Sequence, residues 1–140
     1  MFSRVLIANR GAIACRILRT LHKLGIESIA VYSEADRHSL HVEQANHAVL
    51  IGPATSAQSY LSVDNNIEAA LTAKADAIHP GYGFLSENSQ FARRCAEAGF
   101  VFIGPKPEQI EAFALKHKAR EMASSLGVPI LKGSALLKNE

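Results

Sequence analysis

Two hydrophobic rhythms interleave along this chain: short unbroken apolar runs, and apolar stripes that return every three or four residues. Val5-Leu6-Ile7-Ala8, opened by Arg4, is a run of the kind buried on both faces of a parallel sheet, and Asn9-Arg10-Gly11 stops it. Ile13, Ile17, Leu21 and Leu24 then recur at helical spacing, joined by Ala14 and Leu18, which predicts an amphipathic helix. Gly25 stands just past that stripe, where a left-handed carboxy-terminal cap is expected. Residues 27–32 read as a second strand, 38–45 as a short helix, and 48–51 as a third strand stopped by Gly52-Pro53. A helix over 63–73 would turn Ile67, Ala70 and Leu71 inward, before a fourth strand at 75–78. A further helix over 86–98 would start on Ser86 as N-cap with Glu87 in its first turn, and 100–103 would be a fifth strand. Strands alternating with helices at these intervals predict βαβ units: an α/β, Rossmann-like parallel sheet with helices on both faces.

Past residue 105 the rhythm changes. Gly104-Pro105-Lys106-Pro107 is a rigid turn, and two helical stretches follow at 107–115 and 117–126, before Gly127-Val128-Pro129. Ile130-Leu131 has the character of a strand start, but Lys138-Asn139-Glu140 ends the chain before a second core is built. Residues 1–105 are therefore read as one domain, and 106–140 as a helical lead-in to another.

Composition narrows the function classes. A chain of 140 residues with 48% hydrophobic and 20% charged residues is ordinary for one globular domain. A formal charge of +2, with basic residues spread out except at Lys116, Lys118 and Arg120, gives no reason to propose nucleic acid. No run approaches the ~20 apolar residues of a membrane span, and a cytoplasmic setting is expected. Cys15 and Cys95 have no CxxC or Cys/His partner spacing and read as small buried apolar residues. His38 and His41 form an HxxH without a third ligand nearby, so no metal site is expected.

The densest chemistry sits between the fourth strand and the next helix, in His79-Pro80-Gly81-Tyr82-Gly83-Phe84-Leu85-Ser86-Glu87-Asn88. Two glycines and a proline force an unusual backbone path beside two aromatic rings, at the strand end where α/β folds hold ligands. Tyr82, Gly83 and Phe84 are the candidate contacts, with Gly83 expected to allow a close approach that a side chain would block. The same residues also suit an ordinary βα turn in which Phe84 fills the core. His79 is expected to be a buried hydrogen-bonding residue rather than a general base. In the first turn, Asn9-Arg10-Gly11-Ala12-Ile13 has one of the three glycines of a dinucleotide fingerprint. Glu34 and Asp36 accordingly read as exposed loop charges rather than ribose ligands. A nicotinamide-binding module is the alternative this turn argues against.

The ten-residue stretch His79–Asn88 closely resembles a signature of the biotin carboxylase component of biotin-dependent carboxylases. Leu6-Ile7-Ala8-Asn9-Arg10-Gly11, Ala30-Val31-Tyr32-Ser33 and Phe102-Ile103-Gly104-Pro105 fall in that family's order. The stretch from Phe113 to Arg120 looks most like the urea carboxylase (urea amidolyase) branch. The resemblance implies a pre-ATP-grasp domain followed by the start of an ATP-grasp domain, so the chain is read as an amino-terminal fragment. It implies an enzyme that activates bicarbonate with ATP and Mg²⁺, carboxylates biotin on a biotinyl carrier domain, and in the urea branch passes the carboxyl group to urea. By resemblance, Tyr82, Gly83 and Phe84 pack beside biotin, and Lys116 contacts the nucleotide phosphates. It places no catalytic residue and no metal ligand within these residues. The isolated chain is expected to fold without catalysing, with the segment after Pro105 more mobile than the rest or held by a neighbouring copy. Arg16, Arg19 and Lys23 lie on the polar side of the first helix, which helps form a homodimer in bacterial relatives. Lys23 stands where some of them are acidic, and Ala12 where the family pattern has Glu. A non-catalytic ligand-binding or oligomerisation module of the same fold stays open as the second reading.

Overall fold

The computed structural model describes residues 2–132. Five parallel strands form one sheet: β1 (Arg4–Ile7), β2 (Glu27–Ser33), β3 (His47–Gly52), β4 (Ala77–His79) and β5 (Val101–Phe102), in the order β3-β2-β1-β4-β5. The first run of the sequence is thus the central strand. Leu6 stands beside Ile29 of β2 and Ile78 of β4, so its neighbours come from far along the chain.

Alternation along β1 separates two cores. Leu6 and Ala8 face one side with Ile29, Val31 and Ile78, covered by α3 (Val63–Thr72) and α4 (Ser89–Glu97) through Ile67, Ala70, Phe91 and Cys95. Val5, Ile7 and Ala77 face the other side and are covered by α1 (Gly11–Lys23) through Ala14, Leu18 and Leu21. The short α2 (Leu40–Gln44) packs against α1 and β2. The expected parallel sheet with helices on both faces is the one observed.

The inward phase of two helices departs from the sequence reading. In α1 the buried line is Ala14, Leu18 and Leu21; Ile13 and Ile17 are half-buried and Leu24 lies 62% exposed. In α3, Leu71 is 56% exposed while Asn66 and Ala69 go inward. Asn66 is tolerated there because its amide donates to the carbonyl oxygens of Ser62, at 2.8 Å, and Tyr60. Gly25 adopts the expected left-handed conformation, φ +68°. The helix expected from Ser86 begins three residues later, because Asn88 rather than Ser86 caps it, its Oδ1 accepting from the Phe91 N–H at 2.9 Å. Ser86 instead closes a turn, its N–H donating to the Gly83 carbonyl oxygen at 2.9 Å.

Beyond the sheet, α5 (Pro107–Ala114) and α6 (Lys116–Ser125) follow as two separate helices, as their sequence pattern predicts. Ile110 is the residue of α5 that is buried, and α6 buries none. Arg93 of α4 clasps Glu111 of α5 with two bonds, at 2.6 and 3.1 Å. The strand expected at Ile130-Leu131 does not form among the described residues, and Lys138-Asn139-Glu140 lie outside them.

Candidate functional site

Strand order fixes where a crevice must open. From β1 the chain adds β2 and β3 on one side and then returns to add β4 on the other, so the loops after β1 and β4 diverge at the carboxyl edge. The loop after β1 brings Asn9 and Arg10; the loop after β4 brings residues 80–84. Between them lies a crevice of about 440 Å³, bordered by Asn9, Arg10, Ala12, Tyr82, Gly83 and Phe84. Tyr82 also borders a neighbouring groove of about 520 Å³ along α1, beside Ile13, Arg16 and His79.

The 80–84 loop is clamped by its backbone and leaves one side chain free. Asn9 is buried, and its Nδ2 donates to the carbonyl oxygens of Pro80, at 2.9 Å, and Tyr82, at 2.8 Å. Its Oδ1 accepts from the Arg10 N–H at 2.9 Å, so this one amide is satisfied on both ends. His79 is half-buried, and its Nδ1 accepts from the Gly81 N–H at 3.1 Å; burial holds its pKa below the ordinary histidine value. It is therefore a neutral turn-forming group with its proton on Nε2. Gly81, Gly83 and Phe84 have φ of +67°, +63° and +40°, a left-handed path that glycine follows freely and phenylalanine does not. Tyr82 is 76% exposed.

The glycine packed tightly within the protein is Gly81. A Cβ on Gly83 would meet nothing within 4 Å, whereas one on Gly81 would sit 2.7 Å from Asn9 Nδ2 and 2.9 Å from Ile13 Cγ2. Gly81 is what lets the loop lie on Asn9; Gly83 leaves open space beside Tyr82.

Phe84 packs on the core from above, stacked on the Tyr60 ring with centroids 5.1 Å apart. Tyr60 is fully buried, and its hydroxyl donates to Asp36 Oδ2 at 2.7 Å while accepting from the Ser33 N–H at 3.0 Å. Burial, reinforced by Asp36, pushes this hydroxyl up to about 12. The Arg10 guanidinium lies 5.4 Å from the same ring centroid and reaches Asp36 Oδ2 at 3.1 Å. Asp36 is thus not the exposed loop charge its sequence context suggests. Burial alone would raise its carboxyl, but bonds from Tyr60, Arg10 and Ser33 outweigh that and hold its pKa low. Glu34 is exposed, as expected.

Sequence reasoning missed Asn9, Asp36 and Tyr60 because each comes from a different loop, brought together only by the sheet. The one available signal was Asn9, a polar residue ending a run buried on both faces.

The remaining candidates lie apart. Lys116 opens α6, exposed, in a first turn that also holds Lys118 and has no acidic residue. No hydrogen bond or ion pair joins it to the 82–84 loop among the described residues. His38 is exposed while His41 is buried with Nε2 facing the Val31 carbonyl oxygen at 3.3 Å, and no cluster of three or more metal-ligating side chains occurs among the described residues. Cys95 is buried and its thiol is pushed up to about 12 by that burial; Cys15 is half-buried. No helix among the described residues is long and apolar enough to cross a membrane.

Three comparisons bear on this geometry. A family model described as biotin carboxylase, N-terminal domain, matches residues 1–110. A biotin carboxylase of Halalkalibacterium halodurans is 58% identical over 134 residues, which cover 96% of this chain and 30% of the relative. Among solved structures, the urea carboxylase of Kluyveromyces lactis superposes with a TM-score of 0.91 at 49% identity, over 93% of this chain and 12% of that one. The biotin carboxylase domain dimer of the Hydrogenobacter thermophilus 2-oxoglutarate carboxylase, in complex with MgADP and bicarbonate, superposes at 0.90 with 45% identity, over 96% and 29%.

Proposed function

Because this chain belongs to the biotin carboxylase N-terminal domain family, we propose that it is the amino-terminal part of a carboxylase that uses ATP and bicarbonate to carboxylate biotin. It spans about 30% of the length of the biotin carboxylase it matches, so the rest of the active site is assigned to the larger protein. The division at residue 105, with 106–140 as the start of an ATP-grasp region, belongs to the same proposal. The likeness to a urea carboxylase supports urea as the acceptor to test first.

The observation that carries this reading is an exposed Tyr82 beside an open Gly83, on a loop clamped at the switch point of the sheet. A ring face and an unhindered backbone suit a small, mostly apolar bicycle such as biotin. Tyr82 and Gly83 would meet the ligand directly, and Phe84 would hold the loop from below.

Lys116 would meet the nucleotide phosphates. Lys116, His117 and Lys118 gather at the positive end of α6 with no acid beside them, an arrangement that an anion relieves. Bound ATP supplies the phosphoryl group that activates bicarbonate, with Mg²⁺ neutralising its charge. No cluster of three or more metal-ligating side chains occurs among the described residues, and the Mg²⁺ ligands are proposed to lie in the rest of the larger protein. A biotinyl carrier domain is the proposed partner. A homodimer is proposed as well, though α1 has no acidic residue to pair with Arg16, Arg19 and Lys23, so a symmetric contact through that helix alone would oppose like charges. Two free cysteines fit a reducing compartment, and the cytoplasm is the proposed setting.

Tyr82→Ala in the full-length protein tests the reading. The KM for free biotin should rise several-fold with the fold intact; biotin kinetics equal to wild type would remove the loop from the site.

A further inference from the structure

We infer that Tyr60 is a positioning residue, holding the 82–84 loop in its ligand-facing conformation through the Phe84 ring while Asp36 holds Tyr60. The inference rests on the reading of that loop as the biotin surface.

Phe84 needs an external hold. Its φ of +40° lies where a side chain with a Cβ pays for its backbone conformation, so surrounding contacts must maintain it. That contact is the stack on Tyr60, at 5.1 Å with the rings 15° from parallel. Tyr60 in turn has no freedom to follow Phe84. Its ring is fully buried, its hydroxyl is bonded on both sides, to Asp36 and from the Ser33 N–H, and the Arg10 guanidinium sits by the ring while bonding the same carboxylate. Asp36 also accepts from Ser33 Oγ at 3.2 Å and Ser39 Oγ at 3.4 Å, which anchors it to the end of β2 and the start of α2. The support therefore runs from β2 through Asp36 and Tyr60 to Phe84, and ends one residue from Gly83. Asn9 fixes the other end of the loop, at Pro80 and Tyr82. The Tyr82 ring stays uncovered because Asn9 holds that residue by its carbonyl oxygen and Tyr60 holds Phe84.

The test uses the full-length protein with two readouts, hydrogen exchange of the amides of residues 81–86 and steady-state kinetics. Tyr60→Leu should speed exchange in that loop while α1 and α4 keep wild-type protection. It should raise the KM for free biotin about two- to tenfold, the scale of one aromatic pair, with the KM for ATP unmoved. Tyr60→Phe keeps the ring but cuts its tie to Asp36, so both readouts should fall between wild type and Tyr60→Leu. Phe84→Leu removes the stack from the loop side, without disturbing the Tyr60–Asp36 bond, and should speed loop exchange equally. Unchanged loop exchange in both leucine variants overturns the inference, as does acceleration spread evenly over the whole sheet, which would make Tyr60 an ordinary core residue. A phenylalanine variant as impaired as the leucine one overturns the route through the stack, and one equal to wild type overturns the hold by Asp36. Faster loop exchange with an unmoved biotin KM supports the positioning role and overturns the biotin reading of the loop instead.

Discussion

Gly81 and Gly83 share a left-handed backbone and differ in what surrounds them, which makes them a controlled pair. Alanine at Gly83 meets open space, so its cost is the left-handed conformation alone, about 1–2 kcal/mol. Alanine at Gly81 adds a methyl group 2.7 Å from Asn9 Nδ2 and must displace the amide that bonds Pro80 and Tyr82, adding about 1–3 kcal/mol. Denaturant midpoints should rank wild type, Gly83→Ala and Gly81→Ala in that order, and equal losses would mean the Asn9 clamp is loose. Lys116 is a separate matter of charge. Lys116→Ala in the full-length protein should raise the KM for ATP about 10- to 150-fold, the ~1.5–3 kcal/mol of one hydrogen bond to a charged group. An unmoved KM would return Lys116 to a solvated helix face.

Helices α4 and α5 are joined by a single paired charge, and that joint should respond to acid. Bonds from Arg93, then from Ser89, bring the Glu111 carboxyl far below its ordinary value, to about 2. A carboxyl depressed on folding stabilises the joint in full above its ordinary range and loses that contribution as pH falls toward about 2. Both side chains are substantially exposed, so the effect should be local to α5 rather than global. Amide resonances of α5 should titrate with a midpoint well below the ordinary carboxylate range, and Glu111→Gln should abolish that titration. A midpoint at the ordinary value would mean the pair is open in solution. Elements of this size were legible in the sequence where one rhythm dominated: all five strands and the sheet type were, because each strand is a short apolar run set between helical stripes, the largely exposed edge strands β3 and β5 included. The faces of α1 and α3 were less so, because Leu24 and Leu71 fit the apolar period but fall at helix ends beyond the sheet's cover. The start of α4 was misplaced because Ser86 and Asn88 are both good caps, and the Gly83 turn captured Ser86. The site was half legible: its loop is one contiguous word, while its supports Asn9, Asp36 and Tyr60 become neighbours only through tertiary structure.

At the scale of the whole molecule, the two ends of the β1–β4 pair are tied by one side chain each. Asp76 accepts from the Ser3 N–H at 2.6 Å and the Arg4 N–H at 2.8 Å at one edge, and Asn9 makes the matching tie at the other. Both ties, and the ladder between them, span about 70 residues of chain. On a ribosome adding about 5–20 residues per second, β1 therefore waits about 4–14 s for β4 after it has been made. During that wait β2 can pair on one flank, while the other flank of Val5-Leu6-Ile7 remains an unpaired apolar edge of the kind other chains adopt. Nascent chains arrested before β4 has left the exit tunnel should bind a hydrophobic-surface probe or a holdase, and chains released after β5 should not. Equal binding at both lengths would mean that β1 is already shielded early. The strand that is best protected in the finished domain is thus the one most in need of a chaperone while the domain is being made.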